Sequence, residues 1–262
     1  MSIPESSKSD APTTYSISLP RDAGGYFEVD IGGKQYSDPV IKGSASVTIP
    51  ALTAGSYKVT VKYTGDENYS PVTKETTLKV ADPVFKLSKN KNIAVLYSAK
   101  ATYKVLVTRD GKVVGAGEMV TVKYNGKTYT VKTDKKGYAI LKLNTKVKVK
   151  KYTITATYKG VKVTNKVTIK HVIKAGNKKV KKSKKVTKVK VSLKKVNGKY
   201  LKGKVLKIKF NKKTYKVKTN KKGVATWKVK KSMLKKLKVN KKYKYKVTYG
   251  KDIVTKKLTI KK

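Results

Sequence analysis

Asn125-Gly-Lys-Thr-Tyr-Thr-Val-Lys-Thr-Asp-Lys-Lys-Gly137 returns 86 positions later, little changed, as Asn211-Lys-Lys-Thr-Tyr-Lys-Val-Lys-Thr-Asn-Lys-Lys-Gly223. A repeat at this spacing defines the unit from which the chain is built. Asn125-Gly126 separates two alternating runs, the pattern of a two-residue hairpin turn whose central residues both need positive φ. Asp134 to Gly137 is a longer turn closed by glycine, and Asp110-Gly111 and Asn197-Gly198 mark a further turn in corresponding places. After each closing glycine comes a strand with inward residues at every second position: Ala139, Leu141, Leu143, then Ala225, Trp227, Val229. The first third of the chain repeats this with Gly43 followed by Ala45, Val47 and Ile49.

A later strand alternates in the same way in all three copies. It reads Tyr57, Val59, Val61, Tyr63; then Tyr152, Ile154, Ala156, Tyr158; then Tyr243, Tyr245, Val247, Tyr249. A period of two places one face of a strand in the core and the other in water. Val, Ile, Thr and Tyr suit a pleated surface. About seven such strands in every 80–90 residues, separated by turn signals, describe β-sandwiches. Tyr57, Tyr152 and Tyr243, each opening its strand, suit a tyrosine corner in which the phenol bonds backbone and closes the connection between sheets. The third copy carries five extra residues before its tyrosine strand. There Met233, Leu234 and Leu237 fit a short helical turn capped by Ser232.

The segment Gly55-Ser-Tyr57-Lys-Val-Thr-Val-Lys-Tyr63-Thr-Gly65-Asp66-Glu-Asn68-Tyr69 resembles the bacterial group 3 immunoglobulin-like repeat, with its G-x-Y-x-V-x-x-x-Y-x-G-D-x-x-Y pattern. The later copies keep the tyrosine strand but put Lys159-Gly160 and Gly250-Lys251-Asp252 in place of the Gly-Asp loop. In style and motif order they are similar to the lysine-rich repeats of large adhesin-like surface proteins of methanogenic archaea. The resemblance implies tandem modules forming stalks or binding tips, without enzymatic activity, in much longer proteins. The expected fold is all-β: three tandem immunoglobulin-like β-sandwich domains in an elongated array. Residues 1–13 are expected to be a disordered tail, followed by domains at 14–81, 82–171 and 172–262, the last highly basic.

Function classes can be weighed on the same residues. The chain has 262 residues, no cysteine and one histidine, His171, in an apparent linker, so neither a thiolate nor a Ser-His-Asp set is available. Asp252 is the only acid after residue 171, so no carboxylate pair exists there for general acid–base work. The chain is therefore not read as an enzyme, and no cofactor is expected. Asp66, Glu67 and Asn68, with Asp38 near, are the one candidate metal cluster; without EF-hand spacing, a turn bonding its own backbone is the preferred reading. Glu118 and Asn165 would supply two of the three partners of an internal isopeptide bond, with lysine everywhere within reach. No stretch approaches the roughly 18 apolar residues of a membrane span. The opening MSIPESSKSDAPTT has no apolar core, so a cell-surface role requires this chain to be a piece of a longer exported protein.

Charge is the most informative property. Residues 1–81 carry a net −1, residues 82–171 a net +17 and residues 172–262 a net +36, which together give the +52 of the chain. Only Arg21 and Arg109 are arginines. Lysine on edge strands prevents edge-to-edge pairing, but a net +36 on one domain repels itself and calls for an anionic partner. Candidate contacts are Lys178, Lys179, Lys181, Lys182, Lys184, Lys185, Lys188 and Lys190. The expected role is a monomeric cell-surface adhesin stalk or binding module, its lysine-rich end contacting anionic wall polymer, glycan or membrane, or a receptor on another cell. A nonspecific nucleic-acid-binding protein is the first alternative. Scarce arginine disfavours base and phosphate reading by bidentate contacts, and no helix-turn-helix or RNP motif is visible. A ligand-free spacer is the second.

Overall fold

The hairpin that begins the repeat forms as its turn chemistry dictates. In the computed structural model, which describes residues 1–183 and 185–262, Asn125 and Gly126 take φ of 49° and 72°. The next turn is held by a side chain: Asp134 Oδ1 accepts from the backbone N–H of Lys136 and Tyr138 at 2.8 and 2.9 Å, and Asn220 does the same for Lys222 and Val224. One residue earlier, the buried hydroxyls of Thr133 and Thr219 donate to the carbonyls of Gly115 and Leu201. Much of the repeated motif is thus local turn chemistry, satisfying backbone groups that the sheets leave over. In the third copy Lys212 stands where Gly126 stands in the second, and is held at φ 65°. Lys212→Gly should therefore gain up to about 1 kcal/mol in denaturant titrations.

Each copy folds into a five-stranded sheet facing a smaller one. The first comprises β1 (Ser6–Lys8), β2 (Thr13–Ser18), β3 (Tyr26–Ile31), β4 (Lys34–Pro39), β5 (Ser44–Ile49), β6 (Gly55–Tyr63) and β7 (Val72–Ala81). Its large sheet has the order β1-β7-β6-β3-β4, opposite the β2-β5 pair. The second comprises β8 (Phe85–Ser88), β9 (Ile93–Leu96), β10 (Thr102–Arg109), β11 (Lys112–Val113), β12 (Met119–Tyr124), β13 (Lys127–Lys132), β14 (Tyr138–Lys142), β15 (Lys151–Tyr158) and β16 (Val161–Lys170). Its large sheet runs β13-β12-β15-β16-β9, and β8, β11 and β14 join β10 in the smaller one. The third comprises β17 (Ile173–Lys174), β18 (Lys178–Lys181), β19 (Val186–Leu193), β20 (Val205–Phe210), β21 (Lys213–Lys218), β22 (Val224–Lys230), α1 (Lys231–Lys235), β23 (Lys242–Tyr249) and β24 (Asp252–Lys261). Its sheets run β18-β24-β23-β20-β21 and β17-β19-β22.

All three large sheets are built alike. A short strand from the start of the copy lies parallel to its last strand (β1 on β7, β9 on β16, β18 on β24), and the other neighbours are antiparallel. This is the two-sheet architecture of immunoglobulin-like domains. The alternating residues lie inside: Val59, Val61, Ile154, Ala156, Val247, Ala225 and Val229 are fully buried.

Two expectations are corrected here. Residues 1–13 are not a disordered tail: Ser6–Lys8 is β1, and Ser2 bridges Ser16. The segment is polar because β1 is an edge strand that contributes backbone bonds and little core. Ser232 does not cap the helix. The cap position is Lys230, which makes no side-chain bond, and Ser232 lies inside the turn.

The chain divides into two compact units, residues 1–84 with 109–111, and residues 85–108 with 112–262. In the larger unit a single buried cluster runs through both the second and the third sandwich. Tyr97 packs edge-on against Tyr249 at 5.9 Å, and its hydroxyl accepts from Lys251 N at 3.0 Å. Gly250 is required between these two, since a Cβ there would lie 2.1 Å from the Tyr97 hydroxyl. Asp252 is fully buried beside them. Its Oδ2 accepts from Val172 N and Ile173 N at 2.8 and 3.0 Å, and its Oδ1 lies 2.5 Å from His171 Nδ1. His171 is thus no free linker residue; it completes the cradle of a buried carboxylate.

Candidate functional site

The Gly-Asp loop of the first sandwich is the first candidate. Asp66 Oδ2 accepts from Gly24 N at 2.6 Å, and Oδ1 accepts from Asn68 N and Tyr69 N, both at 2.8 Å. The bond from Gly24, then those from Asn68 and Tyr69, hold this carboxyl below the usual carboxylate range, against some desolvation. Both oxygens are therefore committed to backbone N–H groups. Asp38, the other suspected ligand, accepts from Ser46 N. Among the described residues no group of three His, Cys, Asp or Glu is placed to hold a metal ion. A carboxyl with a depressed folded pKa stabilises above its unfolded pKa and loses that contribution as pH falls through the folded one. Amide exchange at Gly24, Asn68 and Tyr69 should accordingly speed up as pH drops below about 4, relative to the intrinsic rate. Asp66→Asn should flatten that response.

The isopeptide partners are not brought together. Glu118 accepts from the Tyr158 hydroxyl at 2.6 Å and Asn165 from the Tyr103 hydroxyl at 2.9 Å. Asn165 lies opposite Ile154, four residues along β15 from Tyr158 and so about 13 Å away. Burial pushes the Tyr103 phenol up to about 12, which keeps it a donor. The tyrosines opening β6 and β15 bond backward: Tyr57 donates to Thr53 O at 3.0 Å and Tyr152 to Lys148 O at 2.7 Å. Tyr243 instead accepts from Lys238 N at 2.8 Å, because the extra residues after α1 alter the approach to β23.

The lysines of the third sandwich form the remaining candidate. Its large sheet has an outer face to which every strand contributes. Register puts Lys216 and Lys218 of β21, Lys207 and Lys209 of β20, and Lys242, Lys244 and Lys246 of β23 on that face, all exposed. Lys257 and Lys261 of β24 and Lys179 and Lys181 of β18 complete it. Thr214, Thr248, Thr255, Thr259, Val205 and Ile253 fill the remaining places, so the face has neither an acid nor an aromatic ring. Four lysine pairs stand directly opposite across strands: Lys207 with Lys216, Lys209 with Lys246, Lys244 with Lys257, and Lys181 with Lys261. Like charges directly opposed on a sheet are destabilising.

The same face differs in the other copies. In the first, Glu28 sits opposite Lys62 and pairs with it at 3.7 Å, and Glu75 pairs with Lys58 at 2.9 Å. In the second, threonines such as Thr121, Thr130, Thr153 and Thr155 share the face with lysines such as Lys123, Lys132, Lys151 and Lys166. One frame therefore carries an ion-paired face, a mixed threonine–lysine face and a face on which lysine predominates.

The expected run Lys178–Lys190 is split by the fold. Lys179 and Lys181 lie on this face, and Lys178 points to the other side of β18, toward the level of Leu258. Lys188 and Lys190 are on the outer face of the smaller sheet, with Lys228 and Lys230. Lys182 and Lys185 lie in the turn between the sheets; Lys184 falls outside the described residues. Lys178, Lys179, Lys181 and Lys188 do border one open cleft of about 500 Å3 where the chain crosses between sheets. Sequence reasoning missed the lysines of β20, β21, β23 and β24, which supply most of the face. Their signal, lysine at every second position, is plain once the strands are paired.

Self-repulsion on this sandwich predicts a salt response. Trp227, the single tryptophan, is buried in the third sandwich and reports on it alone. Its fluorescence melting midpoint should rise by several degrees between about 0.01 and 0.5 M NaCl, as the Debye length contracts from about 30 Å to a few ångströms.

The family comparison agrees with this architecture for the first copy. Residues 2–81 match the family described as Bacterial Ig-like domain (group 3). No curated protein sequence matches the chain. Among solved structures, the I9–I11 tandem of titin superposes with a TM-score of 0.49 at 13% identity, covering 98% of this chain and 95% of that one. A structure from a 1.5-MDa bacterial ice-binding adhesin gives 0.34 at 15% identity, covering 98% and 94%. A Ca2+-stabilized adhesin of an Antarctic bacterium gives 0.31 at 16%, covering 97% and 71%. At these scores none of the three bears on fold or function.

Proposed function

We propose that this chain is a non-enzymatic module of a cell-surface adhesin-type protein, in which the tandem sandwiches give reach and the basic third domain contacts an anionic surface. The proposed domains are residues 1–81, with β1 included in the first sandwich, 82–171 and 172–262. The observation that carries the reading is the contrast between equivalent sheet faces, ion-paired in the first copy and all positive in the third. A passive spacer has no use for opposed lysines that weaken its own fold. A bound polyanion would neutralise them and release counterions.

Sedimentation of the full chain with isolated anionic wall material tests this. Binding should be strong at 50 mM salt, persist measurably at 150 mM and be absent with a neutral polysaccharide matrix. Equal retention on neutral and anionic matrices would sink the reading. Nucleic acid should compete only as a polyanion, without sequence preference, since two arginines leave little capacity for bidentate readout.

A further inference from the structure

Resting on that reading, we infer that the outer face of β18-β24-β23-β20-β21 is the binding surface, and that its ligand is a linear polyanion without aromatic groups. Geometry gives the first half. Neighbouring strands are about 4.8 Å apart and alternate residues about 6.7 Å apart along a strand, so the ammonium groups form a two-dimensional array across five strands. Such an array can follow a chain of repeating charges over about 19 Å. A small anion would engage only one or two lysines and leave the opposed pairs beyond it unrelieved.

Chemistry gives the second half. The tyrosines of β21 and β23 point to the other side: Tyr245 is buried, and Tyr215 packs on Trp227. The outer face therefore has nothing on which a nucleobase could stack, the contact that single-strand binders rely on. Its apolar residues, Val205 and Ile253, are too few and too short to enter a bilayer as an aromatic-flanked apolar face would. Lysine acts as a flexible point charge suited to repeating phosphate or carboxylate groups. The first sandwich, whose acids neutralise the same positions, is excluded from this role.

The second copy supplies the test substitutions. Thr121, Thr130, Thr153 and Thr155 occupy the places of Lys207, Lys216, Lys244 and Lys246. The full chain carrying Lys207→Thr, Lys216→Thr, Lys244→Thr and Lys246→Thr is compared with a charge-matched variant, Lys188→Thr, Lys190→Thr, Lys228→Thr and Lys230→Thr, on the opposite sheet. Affinity is measured at 0.15 M salt for inorganic polyphosphate and for polygalacturonate, which separate phosphate from carboxylate chemistry. Phosphatidylglycerol vesicles and single-stranded DNA are the competing classes. The large-sheet variant should lose at least tenfold for the preferred polymer, and its log–log salt slope should fall by about three. The small-sheet variant should lose less than threefold. The Trp227 melting midpoint of the large-sheet variant should equal or exceed that of the parent, because three of the four opposed pairs are relieved; the loss of binding is then no unfolding artefact. Equal losses in the two variants would overturn the assignment of the face while leaving an anionic partner in place. Tighter binding to vesicles or DNA than to either polymer would overturn the ligand class. Failure of the parent chain to bind any of the four probes would remove the proposed function itself.

Discussion

Asp252→Ala is expected to cost the third sandwich about 2–5 kcal/mol, read from Trp227 fluorescence in denaturant titrations. The carboxylate is fully buried, and it is the acceptor for two backbone N–H groups at the start of the third sandwich. Alanine would leave both donors without a partner away from water, at about 1–3 kcal/mol for each buried group. His171 would lose its only hydrogen-bonded side-chain contact among the described residues. Asn at this position can keep the one oxygen that accepts from both Val172 N and Ile173 N, and its amide can donate to His171 Nδ1 in the tautomer that leaves that nitrogen bare, so it should recover much of the loss. His171→Ala removes a partner that is itself half exposed to solvent and should cost much less than Asp252→Ala. A change below about 0.5 kcal/mol for Asp252→Ala would mean that water replaces the carboxylate, contrary to its complete burial. The joint also predicts coupling: protease access to residues 171–177 should rise with the same variant, since these residues begin the third sandwich.

Trp227→Ala is expected to cost about 3–5 kcal/mol and to unfold this sandwich at low salt. The indole is 1% exposed and stacks among Phe210, Tyr215 and Tyr245 with centroids 5.1, 5.5 and 5.9 Å away. Aromatic pairs of this kind add to plain area burial. The indole N–H has no hydrogen-bond partner among the described residues, however. Trp227→Phe removes that unsatisfied donor along with some volume, so the two effects oppose and the cost should be about 1 kcal/mol. Circular dichroism supplies the readout, since the fluorophore is gone. A Phe variant as damaging as the Ala variant would show that ring size alone decides the packing. The second copy places Leu141 at the equivalent position and has no α1; in the third, Met233 packs on the cluster and accepts from the Tyr215 hydroxyl at 3.0 Å. The inserted helix and the larger ring are thus one adjustment of the core.

Much of this molecule is legible without coordinates, because its information is local. Asn125-Gly126 forces a hairpin, Asp134 and Asn220 tie their own turns, and alternating Val, Ile and Tyr choose the inward face. The opening segment misled for an equally physical reason. An edge strand of three polar residues has no hydrophobic signature, and only its parallel pairing with β7 identifies β1. Asp252 was invisible in another way. A single acid in a loop of lysines looks like a solvent-exposed turn residue, and nothing nearby in the chain announces that Val172 and Ile173, some 80 positions earlier, donate to it.

Composition, repeat and turn chemistry by themselves determined three β-sandwich copies with charge rising from −1 to +36. Which lysines act together was decided only by the tertiary structure. The contiguous run from Lys178 to Lys190 crosses from one sheet to the other, whereas Lys209 and Lys246, far apart in sequence, stand directly opposite. Side-chain direction along a strand follows from period two, but neighbourhood on a sheet follows from register between distant strands, and that is a long-range property no local pattern carries.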